Sequence, residues 1–143
     1  MSGATNELAA VACQQAIARM THCFDAGDFD AGLALYHEDA VWHRPDGVLR
    51  GRDAIAGYYH GRPKNAVICH VVTNLSVVFD GPGKAVCTYY SMGFRTVTEG
   101  APVLPVAMGG PGVIWRYHDT LLSTRDGWRV TERRADRILE VGA

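Results

Sequence analysis

Apolar side chains recur at intervals of three, four and seven between residues 6 and 26, through Cys13, Ala16, Ile17, Met20 and Phe24, the period of a helix with one buried stripe. Gly27 is placed to end that helix, and Asp28 to cap a second, shorter one in which Phe29, Leu33 and Tyr36 share a face. Over residues 40–44 the period drops to two, and Pro45-Asp46-Gly47 is a turn signal leading into Val48-Leu49-Arg50, so a short hairpin is expected. Residues 51–60 carry Ile55, Tyr58 and Tyr59 at helical spacing with Asp53 in the first turn, where a negative charge suits the macrodipole; this predicts a third helix. The remainder reads as strands: 66–79 and 84–95 around an Asp-Gly-Pro-Gly turn, then 113–124 and 128–138 around Arg125-Asp126-Gly127. Residues 98–112, rich in Gly and Pro, show no period and predict a long loop or flap. Three N-terminal helices followed by long, mostly antiparallel strands describe an α+β arrangement in which a curved sheet wraps around helices and encloses a cavity.

Length and composition narrow this further. A chain of 143 residues suits one domain spanning 1–143, and 48% hydrophobic with 20% charged residues is an ordinary globular mixture. The 14 basic and 15 acidic side chains nearly cancel, which argues against nucleic acid or an anionic membrane as partner. No apolar run reaches the ~18 residues of a membrane span, and the opening MSGATNELAA lacks the basic and apolar regions of a signal peptide; a cytoplasmic protein is expected. Cys13, Cys23, Cys69 and Cys87 form no CxxC pair and no zinc-like spacing, so they read as buried free thiols and no metal is expected.

Two residues stand out chemically. Asp25 lies in the last turn of the first helix, where the macrodipole disfavours an anion, and about 80° around the helix from Ile17, at the edge of the apolar stripe. Its carboxylate either turns inward to a partner or is a solvated turn residue beside Gly27. His70 sits mid-strand, and strict alternation groups it with Ile68, Val72, Asn74 and Ser76 on one face, against Val67, Cys69, Val71, Thr73, Leu75 and Val77 on the other. The first face mixes an imidazole, an amide and a hydroxyl with apolar neighbours, as a pocket lining does; a core histidine bonded to backbone is the plain alternative. The second face is an apolar patch that predicts a homo-oligomer. His43 and Asp119 are further strand candidates. His22 shares a helix with Asp25, while His37 and His60 are placed to end helices.

The run Phe24-Asp25-Ala26-Gly27-Asp28-Phe29-Asp30, then Leu35-Tyr36-His37-Glu38-Asp39-Ala40-Val41-Trp42, resembles the opening of the SnoaL-like family of the nuclear transport factor 2-like superfamily. Gly51-Arg52-Asp53-Ala54-Ile55, Cys69-His70-Val71-Val72-Thr73-Asn74 and Arg125-Asp126-Gly127-Trp128-Arg129-Val130 are similar to its later landmarks, so the resemblance spans nearly the whole chain except 98–112. It implies the cone-shaped fold of that superfamily. Within it the chain most resembles the scytalone dehydratase, bile acid dehydratase and hexachlorocyclohexane dehydrochlorinase group, whose helix-one aspartate and strand histidine map to Asp25 and His70. An arginine five residues after the late tryptophan maps to Arg133, and Asp119 lies where related chains carry a strand aspartate that serves cyclases as base. Phe24 stands where the fungal dehydratase has a tyrosine, and Met20 where the dehydrochlorinase has a lysine, so neither of those donors is supplied here.

The function implied is a cofactor-independent lyase or isomerase in which His70, oriented by Asp25, removes a proton from a small hydrophobic substrate, with Arg133 or Asn74 facing the charge that develops. Met20, Phe24, Tyr58, Asn74, Met92, Phe94 and Asp119 are the expected lining. Tyr58, Tyr59, Tyr89 and Tyr90 are candidate replacement donors that packing alone also explains. The alternative is a noncatalytic binding or structural subunit, since the small subunits of ring-hydroxylating dioxygenases share the resemblance. Related dehydratases imply a trimer over a dimer.

Overall fold

The computed structural model describes residues 3–142. Helix α1 (Gly3–Ala26) buries Cys13, Ala16, Ile17, Met20 and Phe24, the stripe anticipated from the spacing. Removing large apolar side chains from water contributes roughly 1.5–3 kcal/mol each. Gly27 ends the helix at φ 80, and the Asp28 amide closes back on the Cys23 carbonyl at 2.9 Å, a left-handed stop that glycine adopts without strain. Helix α2 (Phe29–Leu33) is a single turn capped by the Asp28 carboxylate on the Ala31 amide.

Strand β1 (Tyr36–Arg44) starts earlier than the alternation suggested. Tyr36 is fully buried on this strand rather than on a helix, and His37, likewise on β1, accepts the Asp39 amide instead of ending a helix. Pairing with β6 through Tyr36↔Val130 extends β1 backward, a long-range contact that local periodicity does not report. Then follow β2 (Gly47–Arg50), α3 (Arg52–His60), β3 (Ala66–Phe79), β4 (Lys84–Val97), β5 (Val113–Thr124) and β6 (Gly127–Glu140). Residues 98–112 contain neither helix nor strand. The six strands form one sheet in the order β2-β1-β6-β5-β4-β3, antiparallel throughout except for the parallel β1–β6 pair. Helix α1 packs on β3, β4 and β6, and α3 on β1 and β2, so the helices close over one face of a curved mixed sheet.

One irregularity changes the β3 faces. Asn74 takes φ 56 and the register to β4 shifts between Thr73 and Ser76, a bulge that reverses the alternation. Ile68, His70 and Val72 face inward before it, whereas Leu75, Val77 and Phe79 pack on the core after it. Leu75 and Val77 are therefore not part of an outer apolar patch, and the outward face of β3 is shorter and more polar than strict alternation implied. Cys69 lies on that exposed face, so only Cys13 and Cys87 are the fully buried thiols expected; Cys23 is half-buried. Among the described residues no helix is long and apolar enough to cross a membrane.

The junction of α1, α2 and α3 is tightly packed. The Phe24 and Tyr59 rings stack with centroids 3.6 Å apart, and a methyl group at Gly32 would stand 2.8 Å from Phe24 Cε1. Gly32→Ala is expected to destabilise the protein. Overpacking costs about 1–3 kcal/mol, which exceeds the gain of up to ~1 kcal/mol in helix propensity. A urea midpoint unchanged or raised would show that Phe24 can move aside.

Candidate active site

The end of α1 and the first half of β3 meet where Asp25 reaches His70. Asp25 Oδ1 lies 2.6 Å from His70 Nδ1, and Asp25 Oδ2 accepts the His70 backbone N–H at 2.7 Å. One carboxylate thus grips the ring and the main chain of the same residue, which holds the imidazole in one orientation. Because a carboxylate offers only lone pairs, the neutral ring carries its proton on Nδ1 and keeps Nε2 as an acceptor. The N–H pair also offsets the poor placement of an anion at a helix C-terminus. Opposite His70 on β4 stands Gly93, where an added Cβ would lie 3.3 Å from Val113 Cγ1 and 3.7 Å from His70 Nε2. A side chain here would press on Val113 and meet the ring only at ordinary contact distance.

His70 opens on a cavity of about 230 Å³ between α1, α3 and the sheet. Met20, Phe24 and Tyr58 line it as expected, with Arg133. The sheet contributes cross-strand rows: Val72, Ser91, Trp115 and Arg137 in one, Tyr89, Tyr117 and Ala135 in the next. Met92 is out of phase with this surface, because Tyr89 and Ser91, one residue either side of Tyr90, take the inward positions of β4. Phe94 instead lines an adjoining cavity that also touches His70 and Tyr58. Asn74 is exposed at the bulge, its Oδ1 accepting from Thr73 Oγ1, and it does not line the cavity. Tyr90 is exposed; His43 bonds Glu132 at 3.0 Å outside the cavity; His60 lies 3.8 Å from Asp30; His22 is exposed.

Arg133 and Asp119 form a buried ion pair in the register Asp119↔Arg133. Arg133 Nε and Nη2 donate to Asp119 Oδ1 and Oδ2 at 2.9 and 2.7 Å, and Nη2 also reaches Tyr89 Oη at 3.1 Å and Met20 Sδ at 3.2 Å. Tyr89 Oη in turn donates to Asp119 Oδ2 at 2.7 Å. Burial opposes the Arg133 charge, but Asp119 together with Tyr36 and Tyr89 outweighs it and the guanidinium is held well above its ordinary pKa. With both oxygens engaged, Asp119 holds Arg133 rather than offering a free base. Burial likewise pushes the phenols of Tyr36, Tyr59, Tyr89 and Tyr117 upward, so these tyrosines stay neutral donors.

Sequence reasoning missed Trp42, Arg62, Ser91, Gly93, Trp115 and Tyr117. Correct phase on β4 and β5 would have found four of them; Arg62, in the turn after α3, had no periodic signal. Trp42, whose Nε1 is buried without a hydrogen-bond partner among the described residues, belongs to the cavity wall. Among the described residues no cluster of three or more His, Cys, Asp or Glu side chains is placed to hold a metal ion.

A curved mixed sheet closed by helices over an aspartate–histidine pair defines a cone-type α+β pocket protein. Residues 8–134 match the SnoaL-like domain family, and the chain belongs to it. It is also similar to several solved structures. A candidate scytalone dehydratase from Novosphingobium aromaticivorans superimposes with a TM-score of 0.85 at 18% identity, covering 99% of this chain and 92% of the other. A candidate aromatic ring hydroxylase from the same species gives 0.74 at 23% identity over 91% and 89%. Aln2 from a Streptomyces species gives 0.75 at 24% identity over 96% and 93%. At these identities the likeness shows the fold alone. No match was found among curated proteins.

Proposed function

We propose that the protein is a cofactor-independent lyase or isomerase that removes a carbon-bound proton from a small hydrophobic substrate. The observation that carries this reading is the double grip of Asp25 on His70, which favours the neutral tautomer with its lone pair on Nε2, at the edge of an aromatic cavity. Nε2 takes the proton from a carbon made acidic by a neighbouring carbonyl or a β leaving group, and Asp25 stabilises the imidazolium that results. The electron pair then either expels the leaving group, giving an alkene, or is held as an enolate until His70 returns the proton at another carbon. Arg133 adds positive potential from the wall, with only Nη1 outside its network to Asp119, Tyr89 and Met20.

A panel of enolisable ketones, β-hydroxy carbonyl compounds and halogenated hydrocarbons incubated in D₂O tests the reading. Protein-dependent deuterium incorporation or elimination is expected for at least one class, followed by NMR. Silence across the panel from a well-folded sample would transfer the preference to a binding subunit.

A further inference from the structure

Four guanidinium groups line the cavity that holds His70: Arg44, Arg62, Arg133 and Arg137. Three are matched by a carboxylate. Arg44 binds Asp46 at 2.9 and 3.2 Å, Arg133 binds Asp119, and Arg137 Nη1 lies 3.1 Å from both oxygens of Glu140. Arg62 is in no ion pair with any described residue. Its Nη1 donates to the Phe24 carbonyl at the end of α1, and its guanidinium carbon lies 5.4 and 5.5 Å from the Phe29 and Tyr59 ring centres. A carbonyl satisfies one N–H, and the two rings hold the side chain in place, but neither cancels the charge. Asp25, the acid at the same helix end, is occupied by the backbone N–H and Nδ1 of His70.

We propose that Arg62 is the docking point for a carboxylate on the substrate, and that the substrate is a small, flat aromatic or conjugated acid. This rests on the reading of His70 as base and narrows its substrate class. A half-buried cation with donors to spare gains a charge-assisted, fork-like contact when an anion enters, whereas the three paired arginines would have to break one first. The remaining wall suits a planar ring: Phe24, Trp42, Tyr58, Tyr59, Trp115 and Tyr117 all contribute. The cavity volume of about 230 Å³ is below the roughly 300–1,000 Å³ typical of drug-sized ligands, which favours a compact ring system. Arg62 borders this cavity and the adjoining one, both lined by His70. An anion fixed there leaves the imidazole free for a C–H rather than tied up in an ion pair with the ligand.

Isothermal calorimetry with 2-naphthoate and its neutral counterpart 2-naphthamide tests the assignment at low ionic strength. The wild type is expected to bind the acid at least about tenfold more tightly, a preference that salt weakens. Arg62→Gln should equalise the two ligands while leaving naphthamide binding unchanged, which separates charge recognition from any loss of helix capping. Arg62→Lys, which keeps the charge without the planar fork, should retain part of the preference and serves alone if the glutamine variant does not fold. Equal affinities in the wild type, no binding of either ligand, or an undiminished preference in Arg62→Gln would each overturn the proposal. His70→Ala should keep the preference; its loss there would assign the anion to the imidazole instead. Preserved binding without proton exchange in any ligand would remove the lyase reading and leave the Arg62 site standing.

Discussion

His70→Ala is expected to leave a folded protein without measurable proton abstraction from any substrate the wild type turns over, a loss of about 10²–10⁴-fold or more. Asp25→Asn should be comparably severe, on the order of 10⁴-fold by analogy with the serine-protease triad, and the geometry shows why. Asp25 receives two N–H groups from one residue, the backbone amide and Nδ1. An asparagine has one acceptor oxygen. If that oxygen keeps the backbone N–H, the NH₂ group faces Nδ1, which must then become an acceptor, so the proton moves to Nε2 and the base is lost. If the oxygen keeps Nδ1, two N–H groups oppose each other at the main chain. Either arrangement disables the ring without emptying the space. Deuterium exchange reads the activity, and ¹⁵N chemical shifts of the imidazole read the tautomer. Full activity in His70→Ala excludes the dyad mechanism, and an Asp25→Asn protein with Nδ1 still protonated contradicts the tautomer argument.

The second large effect concerns stability. Arg133→Ala leaves Asp119, which is 0% exposed, without its cation and removes a donor from Tyr89. Breaking one side of a buried pair costs about 3–5 kcal/mol, whereas replacing both sides by apolar groups of similar volume is often neutral or better. Arg133→Ala should therefore lower the urea midpoint strongly, and Arg133→Met combined with Asp119→Leu should recover most of the loss. This differs from a pure anion-stabilising role, in which the single variant would lose about 10²–10³-fold in rate with little change in stability. A loss below about 1 kcal/mol in the single variant would show that water reaches Asp119 and that the pair is not structural.

Much of the architecture was legible in the chain itself. The i, i+3, i+4 stripe of α1, the Gly27 stop, the hairpin at Pro45-Asp46-Gly47 and the limits of β3 and β5 follow from local chemistry, because a helix period, a left-handed glycine and a turn dipeptide each act within a few residues. The pairing of Asp25 with His70 was legible in a weaker sense: an anion misplaced at a helix C-terminus and a histidine on an apolar strand each lacked a partner, and the family resemblance joined them. Four matters were settled only in three dimensions. The parallel β1–β6 pair drew Tyr36 out of the second helix. The bulge at Asn74 reversed the β3 faces, turning Asn74 to solvent and Leu75 and Val77 inward. The phase of β4 put Tyr89 and Ser91, not Met92, on the cavity. Arg133 and Asp119, separately plausible as anion stabiliser and base, were brought face to face and satisfied each other. Periodicity says which residues share a face, but a single left-handed residue inverts it. Which charges are paired depends on long-range placement and on no segment alone: strand register joins Arg133 to Asp119, while the meeting of α1, α2 and α3 sets Arg62 against a carbonyl and two rings with no ion pair among the described residues.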